Sequence, residues 1–469
     1  MSLGSALSVA NSGLKATRIW ADTTSRNIAN ATSEGYVRKE VDFSTRNGTV
    51  EIAGIRREID TMLDRLDRSE TSKMMRQAAI RDSLEVYSAS LGGTDGSDAP
   101  SARLNDFREK LQMLTSGPGD IALQNATVIS AKDLARSYRE ADGILGLVRA
   151  EVNTGISQDV ADMNRKMREL DELNRDLTRV EPDTIGAAEM RDEMGRLIDD
   201  IAEIVDIQTT TTRDGRINLY TASGTALIEG DTVNRLSFNS GTQTLTAGGI
   251  DITPFRPGVR GFANGSLAGM IEMRNQVIPE FQLQLDEGAR MLVESFSAAD
   301  SSLGPGDTGL FTDAGAVYNP ANLDGLAGRI EINALVDPDA GGEVRRIRDG
   351  IQAATAGPAS DPTQVAAFVD VFDVVQTVAP GANIGTGIQI LDYAETMVAA
   401  QQTTRADAAS RFDSLSVSSD SIGAARRNNE GVNTDEELQE LMLIEQSYAA
   451  NAKMLTAVSE MIDTLLRAV

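Results

Sequence analysis

The two ends of this chain carry the same apolar repeat, and that pair of repeats constrains the fold more than any other feature. From Thr434 to Val469 the positions Leu438, Leu441, Glu445, Tyr448, Ala452, Leu455, Ser459, Ile462, Leu466 and Val469 advance by steps of three and four. Such spacing makes a heptad seam, narrower than a globular core face. The segment holds no Gly or Pro, and Thr434 followed by Asp435, Glu436 and Glu437 offers a cap with acids at the positive end of a helix dipole. One uninterrupted helix is expected, roughly 50 Å long at about 1.5 Å per residue. A narrow seam needs a partner. Leu3, Leu7, Ala10, Leu14, Thr17, Ala21, Thr24, Ile28 and Ala31 supply one at the same spacing, with small residues that permit close approach. The termini are therefore expected to pair as an α-helical coiled coil, with everything between them inserted.

Composition narrows the function classes. The 469 residues are enough for several domains, and 70 acidic against 44 basic side chains give a net charge of -26. That charge argues against nucleic acid or an anionic membrane as partner. No apolar run reaches the roughly 18 residues of a membrane span, and residues 1–30 lack the basic start and apolar block of a cleavable signal. Cys and His are both absent. Thiolate nucleophiles, imidazole bases, disulfides and the usual zinc ligands go with them, so no enzyme activity, cofactor or metal is expected. No lysine lies between Lys166 and Lys453, which removes Schiff-base chemistry from most of the chain. With aromatics at 4% and Trp20 the sole tryptophan, packing must rest on aliphatic residues and Met.

Along the chain, Arg26 to Arg38 has the look of a helix terminus: Asn, Thr and Ser compete for backbone groups, and Gly35 allows a left-handed turn before an extended Tyr36-Val37. Asn30-Ala31-Thr32 also has the form of a glycosylation acceptor. A helical pattern runs from Ile55 to Leu91, a short helix around Leu104–Leu114 ends at Gly117-Pro118-Gly119, and a long helix from about Ile121 to Val180 ends before Pro182. A return helix carries Met190, Met194, Leu197, Ile201 and Val205. At Asp206 the period changes to two, with short alternating runs at 207–211, 217–220, 226–228, 236–238 and 250–252 separated by Gly-containing turns. Helical pattern returns at 267–296. Gly/Asp/Pro-rich loop with brief strands near 309–311 and 329–332 follows, then helices around 341–355, 363–378 and 386–427.

The fold class expected is mainly α with an inserted β domain: long paired terminal helices, a helical bundle wall and a small antiparallel β domain. Its parts are the terminal helices at 1–38 and 430–469, the wall at 39–205 and 339–429, and a β-rich outer insertion at 206–338 with one helix near 265–298. Motifs with chemical meaning fail on context. Gly304, Gly306 and Gly309 have dinucleotide-loop spacing but lack the strand before and the helix after. Asp337, Asp339 and Gly342 begin like a calcium loop whose twelfth position is Arg348 instead of Glu. Adjacent acids such as Asp199-Asp200 fit a solvated helix face better than an acid–base pair.

Two groups of residues carry a family resemblance. Asn27-Ile28-Ala29-Asn30, with Ser33, Gly35, Tyr36 and Arg38, resembles the N-terminal signature of bacterial flagellar rod, hook and hook-associated proteins. Gly431-Val432-Asn433-Thr434-Asp435-Glu436-Glu437, with Gln446, Tyr448, Ala450, Asn451 and Ala452, resembles that group's C-terminal signature. The middle piece Gly265-Ser266-Leu267-Ala268-Gly269, leading to Arg274, Pro279 and Leu285-Asp286, is similar to the hook-associated members at the hook–filament junction. The resemblance implies a structural subunit joining hook to filament through polymerising terminal helices, in a ring or helical homo-oligomer. It also implies as partners the hook protein, the next hook-associated protein and a flagellar export chaperone. The implied location is the extracellular flagellum, reached by type III export without a cleavable signal peptide. A hook or distal rod protein would carry more β structure than residues 55–205 suggest, and a non-flagellar coiled-coil scaffold would explain the heptads but not the terminal motifs.

Overall fold

The computed structural model describes residues 3–33, 35–46, 48–90 and 98–468. It opens with α1 (Leu3–Ala29), which passes through a turn into a hairpin of β1 (Lys39–Arg46) and β2 (Thr49–Arg57). Val41 and Ile55 pair across the hairpin and bury against Ala188, with Trp20, Ile52 and Ile185 around them. The sequence reading places helix here from Ile55; helix α2 instead runs Thr61–Ser90, its first turn capped by Asp60, whose carboxylate accepts from the Met62 and Leu63 amides. Next come α3 (Pro100–Ser116), α4 (Ile121–Leu177) and α5 (Ile185–Ile204), the last capped by Thr184.

The β insertion makes two small antiparallel sheets. The first takes β3 (Ile207–Thr211), β4 (Ile217–Thr221), β5 (Ala226–Glu229) and β6 (Thr232–Val233) in that order. The second takes β7 (Leu236–Asn239), β8 (Thr244–Ala247) and β9 (Ile250–Asp251). Two asparagines of α4 fasten them: Asn174 exchanges hydrogen bonds of 2.8 and 2.9 Å with the Ile217 backbone, and Asn164 two of 2.8 Å with that of Leu236. An Asn can play strand partner in this way because its amide offers one donor and one acceptor side by side.

The chain then forms α6 (Ser266–Glu272), one π turn (Met273–Val277) and α7 (Ile278–Ala298) as a continuous helix. Short pieces follow: β10 (Phe311–Asp313), α8 (Leu326–Arg329), β11 (Ile330–Ile332), α9 (Arg346–Asp349), α10 (Thr363–Asp370), β12 (Val375–Thr377) and β13 (Gly387–Gln389). β10 pairs with β11, and β12 with β13. Of the helix expected at 341–355 only the turn Arg346–Asp349 forms, whereas the one expected at 363–378 is helical over Thr363–Asp370 and gives way to the strand Val375–Thr377. Gly350, at φ +101, closes the first, and the alternation of Val375-Gln376-Thr377 favours strand pairing. The chain ends with α11 (Ile390–Glu430) and α12 (Thr434–Ala468).

Two compact units result, each drawn from three or two separate stretches. One holds Met1–Arg76, Gln158–Ala268 and Asp413–Val469; the other holds Gln77–Ser157 and Gly269–Phe412. The second has an aromatic centre that the low aromatic content hides. Phe296 lies 5.5 Å from Phe107, 5.3 Å from Phe311 and 5.5 Å from Phe368, ring centre to ring centre, with Phe372 completing the cluster. Few aromatics suffice when they are pooled in one place. Among the described residues, no helix is long and apolar enough to cross a membrane.

Candidate assembly site at the paired termini

The terminal helices pack antiparallel along a face made of small and polar residues. Asn27 meets Glu437, Trp20 and Thr24 meet Glu440, Thr17 meets Ser447, and Gly13 lies against Asn451. Each step back along α1 is matched by an equal step forward along α12. On α1 the buried positions are Ala10, Gly13, Ala16, Thr17, Thr23, Thr24 and Asn27; on α12 they are Glu437, Ile444 and Val458. Approach is close at Gly13, where an added Cβ would sit 2.6 Å from Asn451 Oδ1.

At the base of the pair a largely buried polar network joins α1, the hairpin and its flanks, α5 and α12. Asn27 uses its whole hydrogen-bonding capacity. Its Nδ2 donates to the Lys39 carbonyl at 2.9 Å and to Glu437 at 3.0 Å, and its Oδ1 accepts from Tyr36 Oη at 3.0 Å and the Lys39 amide at 3.1 Å. Arg38 donates through Nε to Glu437 at 2.8 Å, and through its other nitrogens to Glu58 at 3.0 Å and Glu440 at 3.3 Å. Glu440 also accepts from Trp20 and Thr24. On the wall side, Asp192 of α5 takes Lys39 Nζ at 2.5 Å and Arg57 Nε at 2.6 Å. A charged network out of water holds only if each member is paired, and here the partners come from α1, the hairpin, α5 and α12.

Burial leaves its mark on the titrating groups. It pushes the Tyr36 phenol well above its ordinary range, helped by the nearby Asp192 charge. It lowers the Lys39 ammonium, although Asp192 pulls the other way. Burial also works against the Arg38 charge, but hydrogen bonds to Glu437 and Glu58 outweigh it, and the guanidinium is held above its usual range.

Beside the network the end of α11 is fixed to the same turn. The Glu430 carbonyl accepts from the Arg38 amide at 2.9 Å, and its carboxylate from the Asp60 amide at 3.0 Å. Arg426 gathers Asp64 at 2.7 Å, Asp67 and Asp199 at 3.0 Å, and Glu430 at 3.2 Å. Burial and the Asp64 charge raise the Glu430 carboxyl. A polar cleft of 950 Å³ opens here, bordered by Ser33, Gly35, Arg68, Arg196, Arg427 and Asn433. Among the described residues no cluster of carboxylates is arranged to hold a metal ion.

The residues singled out by sequence fall on different sides of this arrangement. Of the seam positions, Leu14, Ile28, Leu441, Leu455 and Ile462 are half-buried, while Leu7, Leu438, Tyr448 and Leu466 are exposed; the Leu3 side chain lies outside the described residues. Glu445, counted within the repeat, is exposed too. The face that α12 turns to α1 is therefore rotated by about one residue from the apolar repeat. Of the motif residues, Asn27, Tyr36 and Arg38 form the network. Gly35 takes φ +71 with its Cα against Arg196, and a Cβ on Gly431 would collide with the Arg427 carbonyl. Asn433, not Thr434, caps α12, accepting from the Asp435 amide at 3.1 Å; its Nδ2 reaches Glu436. Asn30 binds the Arg26 carbonyl, Asn451 faces Gly13, and Gln446 is exposed. The sequence reading missed Lys39, Glu58, Asp192 and the inward turn of Glu437 and Glu440. Polar residues at Thr17, Thr24 and Asn27, spaced as a seam, were the available signal.

Residues 93–304 match the family described as "Flagellar hook-associated protein FlgK helical domain", and residues 428–468 match "Flagellar basal body rod FlgEFG protein C-terminal". Flagellar hook-associated protein 1 of Salmonella typhimurium is 26% identical over 63% of this chain, a match that spans 56% of that relative's length. The protein of the same name from Bacillus subtilis is 22% identical over 98% of this chain and 97% of its own. A solved structure titled as the flagellar hook junction protein FlgK from Burkholderia pseudomallei is 16% identical, with a TM-score of 0.42 over 53% of this chain and 46% of that one.

Proposed function

We propose that this chain, which belongs to the flagellar hook-associated protein 1 family, is a structural subunit of the bacterial flagellum at the hook–filament junction. Its terminal helices, within 1–38 and 430–469, join copies of the chain in a ring or helical assembly. The helical wall at 39–205 and 339–429 and the β insertion at 206–338 are carried on them. Hook protein is the neighbour on one side and the next hook-associated protein on the other. The subunit reaches the cell exterior by the flagellar export route with a chaperone, and it has no catalytic role.

One observation carries the reading. After α12 has packed on α1, it still exposes Leu438, Met442, Leu443, Tyr448, Met454, Met461, Leu465 and Leu466. So many large apolar side chains on one helix mark a surface awaiting protein. Seam residues Leu7, Leu14, Ile28, Leu441, Leu455 and Ile462 belong to the same assembly surface under this proposal. The test is replacement of the native gene by one encoding a chain that ends at Asn433, with imaging of the labelled protein on cells. Filament loss with the label absent from the distal end of the hook is expected. Motile cells with normal filaments would overturn the assignment.

A further inference from the structure

We propose that Asn27, Arg38 and Glu437 are positioning residues that set the register of α12 against α1, and so decide which face of α12 is offered outward. The inner positions Glu437, Ile444, Asn451 and Val458 follow one another at intervals of seven. A slip by one heptad, about 10 Å at about 1.5 Å per residue, returns every inner position to an inner position. Apolar contact resists such a slip little along Ala10, Gly13, Ala16, Thr17 and Thr24, which are small; Trp20 interrupts that face, and its Nε1 donates to Glu440. The polar groups resist it. With α12 slipped one way, Ile444 would stand before Asn27 Nδ2 and Arg38 Nε, leaving two buried donors unmet and the Glu437 carboxylate without its partners. Slipped by a heptad in either direction, Gly13 would face Val458 or Ile444, and its close fit with Asn451 would be lost. Specificity of pairing thus comes from the polar end of the site, and the apolar residues of α12 remain free for other contacts.

The lock is a property of the single chain and stands apart from the assembly in which it is used. It also lends itself to a clean test, because the chain contains no cysteine. Thr17 Oγ1 and Ser447 Oγ lie 3.5 Å apart, so the pair Thr17→Cys with Ser447→Cys reports the native register. Thr17→Cys with Met454→Cys reports a slip of one heptad. Both pairs are oxidised in the full-length chain at dilution, and intramolecular disulfide is measured by mass spectrometry. The expected result is fast crosslinking of the native pair alone. Adding Glu437→Leu is expected to cut native-pair crosslinking at least fivefold and bring the slipped pair up to a comparable rate. Asn27→Leu, which acts from the other helix, should do the same. An unchanged thermal transition of the rest of the chain confirms that the variants fold. The proposal is overturned if both variants keep native-pair crosslinking at the parental rate, or if they abolish both crosslinks, which would make the network a clamp without register selection.

Discussion

The most demanding consequence of the buried network concerns Asp192. Its two oxygens bind Lys39 and Arg57, one each, and the Lys39 and Asp192 side chains are 0% and 4% exposed. Asp192→Ala leaves the buried Lys39 ammonium without its ion-pair partner, with only the longer-range charge of Glu189 to offset it. Breaking a buried pair by removing one partner costs about 3–5 kcal/mol, a large share of the roughly 5–15 kcal/mol that stabilises a typical domain. Replacing both partners, Lys39→Met with Asp192→Leu, removes the stranded charge as well. Arg57, 15% exposed, has solvent within reach, so the double variant should lie within about 1.5 kcal/mol of the parent.

The pH dependence gives a second handle with a fixed sign. Burial depresses the folded-state pKa of Lys39, against the opposing pull of Asp192. Between that depressed value and the unfolded value near 10.4, the unfolded chain binds more protons than the folded one. Stability from this group therefore rises with pH across the window and falls as pH drops through the folded pKa. Without Asp192 the main pull towards the charged form is gone and the window widens downward. Asp192→Ala should accordingly regain part of its lost stability between about pH 7 and about pH 9.5, whereas the double variant, lacking the lysine, should not. Urea melts followed by far-UV circular dichroism at the two pH values measure both effects. A loss below about 1 kcal/mol, or an equal loss at both pH values, would refute the account of a stranded cation.

Three further outcomes are expected from single substitutions. Burial pushes the Asp286 carboxyl up to about 6 against the amides of Ala327 and Gly325, so its contribution is complete at low pH and is lost as pH rises through about 6; Asp286→Asn should flatten that part of the thermal stability profile. Gly265 sits at φ +97, where an added Cβ would lie 2.3 Å from the Ile204 carbonyl oxygen, and Gly265→Ala should cost more than about 2 kcal/mol in a denaturant melt. Phe296, fully buried among Phe107, Phe311 and Phe368, should cost about 3–5 kcal/mol on replacement by Ala, measured in the same way.

Much of the fold was legible because its signals are local. The long helix read as 121–180 is Ile121–Leu177, since nothing between Asp120 and Pro182 breaks the pattern. The strands read at 207–211 and 217–220 are Ile207–Thr211 and Ile217–Thr221. The hairpin at Lys39–Arg57 is hard to read from sequence because its outward side mixes charged residues with Phe43, Ser44, Thr45, Val50 and Ala53 and so lacks a clean alternation; its turn signal is Asn47-Gly48. The site was legible only in part. The resemblance pointed to Asn27, Tyr36 and Arg38 without saying what they bind. Glu437 read as an acid at a helix dipole, a role that suits Asp435 and Glu436, but the structure turns it inward to Arg38 and Asn27. Asp192 and Lys39 are 153 positions apart, and the rule that charge faces water gives no reason to join them.

If the chain assembles as proposed, adjacent residues on α12 separate intrachain packing from assembly. Ile444 is 4% exposed and lies between Glu440 and Ser447, both of which touch α1, whereas Leu443 is 55% exposed. Ile444→Asp removes about 2 kcal/mol of apolar burial and places a carboxylate where it has no partner, a penalty of several kcal/mol. Loosening of α12 from α1 is expected, read as lost hydrogen-exchange protection across residues 434–468 in the dilute chain. Leu443→Asp changes an exposed side chain and should leave that protection within about 0.5 kcal/mol of the parent. Its effect should appear only when copies meet, as failure to form filaments on cells. An apolar repeat on an isolated helix does not say whether its partner belongs to the same chain. Under the proposed function the small and polar stripe serves the chain itself, and the large apolar residues are offered to neighbouring copies. Equal loss of protection in the two variants, or normal filaments from Leu443→Asp, would show that the division is drawn in the wrong place.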